Sequence, residues 1–392
     1  MTSAATPQVA YLDNAATTPT RPEVLEAMLP WLTTRYGNAS GGHSMARAAR
    51  RAIDDARDVL AEVLGGEPGE IVFTSGGTEA DNLAVTGAAL AARERGMNRP
   101  VIGCSAVEHP AVLEPVRAAG GDELAVDSTG IIDLAGLEEW LDERHGRVAE
   151  VSVMLVNNET GVVEPVAEVA RLVRDHAPGA IVHTDAVQAL GWLHVAESIA
   201  AADLVTVSAH KIGGPKGVGA LLVRSAARSR VRPVLRGGPQ ERELRAGTHG
   251  VAGIVGMARA AGLCSAEREE TSGRVADLAD ALVAGIIGGV ERIEPAVPRE
   301  RRIAAICNLW FAGVEAEELL VVLDELGVCA SAGSACASGA LEPSHVLVAM
   351  GRTREEATGH VRFSLGRSTT QEDVDQAIGA TIEAVARLRR TA

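Results

Sequence analysis

A lysine and an aspartate each stand where a short apolar segment ends. Lys211 comes after the run 204–207 and before a turn rich in glycine and proline, and Asp185 lies in the stretch 184–188 that follows the segment Ile181-Val182-His183. Both patterns predict a buried β-strand. Burial lowers the pKa of a lysine amine and so favours Schiff-base chemistry. A carboxylate can hold the protonated ring nitrogen of pyridoxal 5′-phosphate (PLP). A single lysine in a turn is more often simply solvated, so a PLP site needs support from other residues.

A glycine turn supplies a candidate phosphate site. The predicted strand 71–74 runs into Ser75-Gly76-Gly77, and the pattern predicts a helix that begins at Thr78, with a capping box between Thr78 and Asp81. The free N–H groups and the dipole of such a helix start attract phosphate. The Gly-Lys-Ser/Thr of a Walker loop is missing. From the glycine turn and the helix start, we predict that Gly77 and Thr78 bind the phosphate group of the cofactor.

Other polar side chains follow predicted strands in the same way. His109 would lie over the cofactor ring, although a satisfied core histidine is an equally good interpretation of this residue alone. Asn158, after the strand predicted for 151–156, and Gln188 would hydrogen-bond the ring hydroxyl. Two further candidates stand beside the lysine: Ser208 and His210. Because the carboxyl ends of parallel strands meet at one edge of a sheet, we expect all of these side chains to line one pocket.

Strands alternate with amphipathic helices along much of the chain, for example over 46–64, where apolar residues recur at helical spacing. This alternation predicts an α/β fold with a largely parallel sheet that is covered on both faces. We expect residues 1–20 to pack with a small domain, residues 21–261 to form a large PLP-binding domain, and residues 262–392 to form the small C-terminal domain.

The composition excludes several classes of function. The net charge of −15 disfavours nucleic acid as a ligand. No stretch approaches the roughly 20 apolar residues of a membrane-spanning helix. The first ten residues do not resemble a signal peptide, so we expect a cytoplasmic protein. The five cysteines show no CxxC spacing, which indicates neither a disulfide framework nor a metal site.

One cysteine lies in a segment made almost entirely of small residues, Gly333-Ser334-Ala335-Cys336. This segment and several other motifs resemble those of the cysteine desulfurases of the NifS/IscS type, and the resemblance covers nearly the whole chain. These proteins are class-V aminotransferase-like PLP enzymes of fold type I. The motifs that carry the resemblance are Thr74-Ser75-Gly76-Gly77-Thr78-Glu79, Val107-Glu108-His109, Asn157-Asn158-Glu159-Thr160-Gly161, His183-Thr184-Asp185-Ala186-Val187-Gln188, Ser208-Ala209-His210-Lys211, Arg245-Ala246-Gly247-Thr248 and Arg362-Phe363-Ser364.

The resemblance implies a fold, a cofactor and a reaction. The fold would be a seven-stranded, mainly parallel sheet with a smaller α+β domain. Lys211 would hold PLP and take the α-proton of L-cysteine, with His109 assisting proton transfer. The thiolate of Cys336 would attack the substrate sulfur, so that alanine leaves and a persulfide remains for an acceptor protein.

The resemblance also assigns residues outside the cofactor pocket. Asn38 and Arg362 would bind the substrate carboxylate, a task that suits a guanidinium fork. Thr248 would complete the phosphate site of a neighbouring subunit, which implies a homodimer. The acceptor would belong to iron–sulfur cluster assembly or to another thiolation pathway.

Two alternatives stay open at this point. The first is another PLP enzyme of the same fold, an aminotransferase or a selenocysteine lyase. The second is a protein without this catalysis, either a sulfur-relay scaffold or a cysteine-ligated metal protein. Such a protein would leave the combination of Lys211, Asp185 and His109 without a purpose.

Overall fold

A computed structural model describes residues 9–332 and 343–391. Cys336 and its segment therefore lie outside the described residues, and its predicted role stays a prediction.

A central sheet of seven strands has the order β2-β8-β7-β6-β5-β3-β4. The strands of the described chain are β1 (Ala10–Tyr11), β2 (Ile71–Thr74), β3 (Val101–Ser105), β4 (Asp122–Leu124), β5 (Val148–Ser152), β6 (Ile181–Asp185), β7 (Leu204–Ser208), β8 (Gly219–Val223), β9 (Ile293–Pro295), β10 (Ile306–Phe311), β11 (Val328–Cys329) and β12 (His360–Ser364). The pairings from β4 to β7 are parallel, and β8 runs antiparallel to both β7 and β2. The predicted α/β fold with a mainly parallel seven-stranded sheet is confirmed.

Two smaller sheets lie beside the central one. β12, β10 and β9 form an antiparallel sheet, and β1 pairs in parallel with β11. The N-terminal segment therefore adds a strand to residues near the C-terminus. The predicted boundary between residues 261 and 262 falls inside one continuous helix, Val251–Gly289, and the division into domains stays a prediction.

Helices connect the strands of the described chain, and several of them pack against the central sheet. They are α1 (Pro22–Thr33), α2 (Ser44–Leu64), α3 (Gly77–Glu94), α4 (Pro110–Ala119), α5 (Leu134–Glu143), α6 (Val166–His176), α7 (Val195–Ser198), α8 (Val251–Gly289), α9 (Ala316–Glu325), α10 (His345–Ala349), α11 (Arg354–Thr358) and α12 (Gln371–Thr391). In α2 the buried residues include Ala49, Ile53 and Leu60, and the helix ends at Gly65 in the left-handed conformation that glycine adopts at least cost.

Helix α3 begins differently from the sequence prediction. Its first residue is Gly77 and its N-cap is Gly76, with no side-chain cap. The predicted capping box of Thr78 and Asp81 is therefore wrong, because Thr78 is already the second helical residue. The carboxylate of Glu79 accepts the Ser75 N–H at 2.7 Å instead.

The strand predicted for 151–156 is also displaced, since β5 ends at Ser152. Beyond that point the Val153 and Leu155 amides still donate to the carbonyls of His183 and Asp185. The regular ladder ends, but the chain continues beside β6 to the edge of the sheet, where Asn158 follows. Within the described ranges, no helix is long and apolar enough to cross a membrane.

Candidate active site

A cavity of about 370 Å³ opens at the carboxyl ends of β5, β6 and β7. Every predicted cofactor ligand except Thr248 lines it, together with Arg362; those residues are Gly77, Thr78, His109, Asn158, Asp185, Gln188, Ser208, His210 and Lys211. The volume lies within the range of small-molecule sites. Polar groups that are distant in sequence thus meet at one edge of the sheet, as parallel strands require.

Lys211 lies in a short 3₁₀ turn, 209–211, directly after β7. Its Nζ donates to the carbonyl oxygens of Ala15 at 2.5 Å and Ala16 at 2.8 Å. The N-terminal segment therefore forms one wall of the cavity, and carbonyl dipoles surround the amine. Sequence reasoning missed this wall, since alanine carbonyls carry no signal of their role.

Hydroxyl groups of the same segment hold the lysine turn. Thr18 Oγ1 donates to the His210 carbonyl and accepts the Gly213 N–H, both at 2.8 Å. The His210 ring lies 3.2 Å from Thr17 Oγ1. Gly213 has φ +79°, and an added Cβ would lie 2.6 Å from Arg21 Cγ. The turn therefore requires glycine at this position.

Asp185 is the last residue of β6 and is buried. Its Oδ1 accepts the Val187 N–H at 2.8 Å. Burial raises the pKa of Asp185 to about 6, although the Val187 amide and Lys211 both act to lower it. The carboxylate therefore needs a nearby positive charge to stay fully ionised.

His109 caps the start of α4, because its Nδ1 accepts the Ala111 N–H at 3.1 Å. This contact assigns the proton of the neutral ring to Nε2. Burial lowers the pKa of His109 to about 4, and Lys211 and His345 contribute to the shift. The imidazole is therefore neutral at pH 7 and can donate a hydrogen bond through its Nε2–H.

Arg362 projects from β12 towards the cavity and is 2% exposed. Its Nη1 donates to the Asn158 carbonyl at 2.8 Å, and its Nη2 pairs with Asp13 Oδ1 at 2.7 Å. Its buried Nε has no partner among the described residues. Asp13 supplies the charge that compensates this buried guanidinium. Sequence reasoning missed this role of Asp13.

The side-chain amide of Gln188 is already engaged, since its Nε2 donates to the Ala15 carbonyl at 2.7 Å. Gln188 therefore also ties the N-terminal wall to the end of β6. Its predicted bond to a ring hydroxyl stays a prediction.

A buried polar cluster behind the cavity was not predicted. Asp81 is 1% exposed and lines the cavity, with its Oδ1 3.6 Å from His183 Nε2. The His183 ring also contacts the hydroxyls of Ser152 at 3.0 Å and Thr206 at 3.1 Å. Burial lowers the pKa of His183 to about 3, while burial and the charge of Asp185 raise the pKa of Asp81. The ring of His183 in this cluster is therefore neutral at pH 7.

Two predicted site residues lie away from the cavity. Asn38 is exposed, and its Oδ1 accepts the Ser40 N–H at 2.9 Å in a local turn. Thr248 is exposed in the segment before α8. A single chain does not bring either residue to Lys211, and their assigned roles stay predictions. Among the described residues, no group of histidine, cysteine and acidic side chains could hold a metal ion.

Comparison with known proteins agrees with the architecture. Residues 10–377 match the family model described as aminotransferase class-V. A cysteine desulfurase of a Nostoc species is 43% identical over 386 residues, which cover 97% of this chain and 94% of that protein. The chain belongs to the class-V aminotransferases, among the cysteine desulfurases.

Two further class-V relatives extend this result. The IscS-like cysteine desulfurase of Mycobacterium tuberculosis is 41% identical over 391 residues, 98% of each chain. A solved structure described as a NifS-like protein superposes with a TM-score of 0.89 at 33% identity, covering 97% of this chain and 100% of the other. The fold is that of fold-type I PLP enzymes, and the family generally uses PLP.

Proposed function

We propose that this class-V protein is a PLP-dependent cysteine desulfurase. It converts L-cysteine to L-alanine and passes the sulfur, as a persulfide on Cys336, to an acceptor protein. The observation that carries the proposal is the meeting of Lys211, Asp185 and Arg362 in one cavity. These residues provide an amine, an anion for a ring nitrogen and a guanidinium for a carboxylate.

The residues that line the cavity fit PLP in their donor set. Gly77 lines it at the start of α3, where an added Cβ would lie 3.0 Å from Val187 Cγ2. β8 passes behind this turn so closely that a Cβ on Gly219 would lie 2.6 Å from the Gly76 carbonyl carbon. The first residues of α3, Gly77 and Thr78, line the cavity, and their N–H groups would hold a phosphate group. Asp185, at the end of β6, would hold the ring nitrogen.

The side chains divide the chemistry among them. When bound, PLP supplies an electron sink for the charge that is left on the substrate α-carbon. Lys211 Nζ removes the α-proton, and the Nε2–H of the neutral His109 ring is the group that assists this proton transfer. Arg362 binds the substrate carboxylate, with Asp13 and the Asn158 carbonyl holding its guanidinium in position.

The sulfur step is carried by Cys336. Its thiolate attacks the substrate sulfur, so that a sulfur–sulfur bond forms as the carbon–sulfur bond breaks. The electron pair of the broken bond stays on the carbon skeleton, which takes up a proton and leaves as alanine. An acceptor thiolate then removes the outer sulfur and restores Cys336.

A homodimer completes the proposal. Thr248 is exposed and lies outside the cavity of its own chain. In a two-fold dimer it would reach the phosphate site of the partner, as the family resemblance implies.

The test uses the two lysines of the sequence, Lys211 and Lys216. We expect the purified protein to absorb visible light after PLP is added, and borohydride to fix the cofactor covalently on the peptide that contains Lys211. Lys211→Ala should abolish both the labelling and alanine formation from L-cysteine. The exposed Lys216 provides the control, because Lys216→Ala should leave both intact. Labelling of Lys216, or a protein that takes up no PLP, would refute the proposal.

A further inference from the structure

Glu79 is the third residue of α3 and is held from two sides. Its Oε1 accepts Arg245 Nε–H at 2.7 Å, and its Oε2 accepts Arg245 Nη2–H at 3.1 Å and the Ser75 N–H at 2.7 Å. The side chains of Glu79 and Arg245 are only 16% and 20% exposed. This is a bidentate ion pair at the turn that is proposed to bind phosphate.

The charge of Glu79 conflicts with that role unless it is compensated. Burial alone would raise the pKa of Glu79, but the bonds from Arg245 and Ser75 hold it below its ordinary value. Glu79 is therefore an anion within the first turn of α3, where the helix dipole acts most strongly. A phosphate dianion at Gly77 and Thr78 would meet a like charge. Arg245 is the cation that cancels it.

Arg245 reaches Glu79 from a segment with an unusual backbone. Three consecutive non-glycine residues have left-handed φ values, 47° at Glu241, 54° at Arg242 and 68° at Glu243. Such a conformation persists only where its surroundings hold it in place. Here the buried carboxylate of Glu241 pairs with both Nη atoms of Arg57 at 2.9 Å and accepts the Phe73 N–H at 2.8 Å. Although burial opposes ionisation, His249 and Arg57 hold the pKa of Glu241 at about 2.

The segment 240–249 is thus attached twice to the phosphate turn of its own chain. Glu241 ties it to β2, which leads into the turn, and Arg245 ties it to α3, which leaves the turn. Thr248 follows on the same segment, is exposed and does not line the cavity of its own chain.

We propose that Arg245 is a positioning residue that neutralises Glu79 and so allows the start of α3 to accept the phosphate group of PLP. The inference rests on the proposed function. The segment 240–249 then has two tasks, since Arg245 serves the phosphate site of its own chain and Thr248 that of the partner.

The test compares PLP with pyridoxal, which lacks the phosphate. Both ligands can react with Lys211, so the ratio of their dissociation constants isolates the phosphate contribution. The experiment uses the full-length protein freed of cofactor. Arg245→Ala should lower the affinity for PLP by about 10- to 100-fold and leave the affinity for pyridoxal nearly unchanged. Glu79→Gln should bind PLP as tightly as the unmodified protein or more tightly. The double variant Glu79→Gln/Arg245→Ala should recover most of the lost affinity.

Arg230 and Asp203 provide the matched control. They form an ion pair at 3.3 Å with nearly the same exposure, 20% and 18%, away from the phosphate turn. Arg230→Ala should leave the ratio of PLP to pyridoxal affinity unchanged.

The inference would be overturned if Arg245→Ala lowered the affinities for PLP and pyridoxal equally. It would also be overturned if the double variant recovered no PLP affinity. If Arg245→Ala does not fold, selective loss of PLP affinity in Glu79→Gln would overturn it as well. Failure of the unmodified protein to bind PLP at all would refute the proposed function instead, so the two failures are distinguishable.

Discussion

At the scale of single residues, burial sets the protonation states of the cavity. Asp185 and His109 are shifted in opposite directions, since burial disfavours the charged form of each. A neutral His109 and an Asp185 that needs a positive partner suit a site for a ring with a protonated nitrogen. Groups with shifted pKa values in one cleft are typical of functional sites.

The pKa of Asp185 predicts how cofactor affinity depends on pH. Below about pH 6 the carboxyl group of the free protein is protonated, and it then offers no anion to a ring nitrogen. We expect PLP affinity to fall as the pH decreases through this value. Asp185→Asn should bind PLP at least about tenfold more weakly at pH 8, because a charged partner is lost.

Absorbance titrations of both proteins from pH 5 to pH 8 provide the check. PLP titrates in both, so the difference between them isolates Asp185. Parallel pH profiles would show that the carboxyl group does not control binding.

Replacing Cys336 should separate the binding of cofactor and substrate from the transfer of sulfur. Cys336→Ser should still load PLP and change its visible spectrum when L-cysteine is added, because Lys211 and the cavity are intact. It should release essentially no alanine, since no thiolate attacks the substrate sulfur. An aminotransferase or a selenocysteine lyase that does not use this thiol would keep its activity.

Mass spectrometry after one turnover identifies the sulfur carrier. The added sulfur should be on Cys336. If it is on Cys104, Cys307 or Cys329 while Cys336 stays unmodified, the nucleophile has been assigned to the wrong residue.

At the scale of elements, the N-terminal segment holds the 3₁₀ turn of Lys211. The hydroxyl of Thr18 both donates to that turn and accepts from it, whereas the side chain of Lys211 reaches back to Ala15 and Ala16. The lysine is therefore positioned by a strand end on one side and by a distant segment on the other.

Thr18→Val should loosen this connection. The substitution keeps the shape of the side chain but leaves the Gly213 N–H without the hydroxyl that it bonds, whereas the His210 carbonyl keeps the backbone N–H of residue 18 at 2.9 Å. We expect a loss of about 1–3 kcal/mol in the free energy of unfolding, together with weaker PLP binding.

Thr358→Val is the control, because the hydroxyl of Thr358 donates to the Glu355 carbonyl at the exposed end of α11, outside the lysine turn. Denaturant unfolding and PLP titration of both variants test the expectation. An equal effect of the two substitutions would count against a positioning role for Thr18.

At the scale of the whole molecule, a row of exposed apolar side chains lies along α1 and ends in the loop that follows it. Leu25, Leu29, Leu32 and Tyr36 are between 54% and 74% exposed and recur at helical spacing. Apolar surface of this kind commonly marks an interface. It lies just before Asn38, the predicted substrate ligand that is remote from the cavity of its own chain.

Leu29→Glu should therefore weaken the proposed homodimer, because a buried charge at an interface is costly. Sedimentation velocity should show more monomer, with weaker PLP binding if the partner completes the phosphate site. Val321→Glu is the control, since Val321 is 62% exposed on α9, far along the chain from this row. A stable dimer of the Leu29→Glu variant would show that this row is not part of the interface.

Much of the site was predictable from local patterns in the sequence. Apolar runs that end at Asp185 and Lys211, and a glycine turn before a helix, are local signals of strand ends and of a phosphate-binding turn. Because parallel strands bring their carboxyl ends to one edge, these signals also predicted that the residues would meet. The one-residue error at the start of α3 arose because Thr78 is a good capping residue in isolation.

The sequence by itself therefore determined the α/β fold, the pocket at the strand ends and the residue types that suit PLP. Only the tertiary structure decided which distant segments support them. Asp13 pairs with Arg362 across 349 residues, and Arg245 pairs with Glu79 across 166. Such pairs depend on how sheets and segments pack against one another, whereas hydrophobic periodicity reports only the local conformation and the buried face of each element.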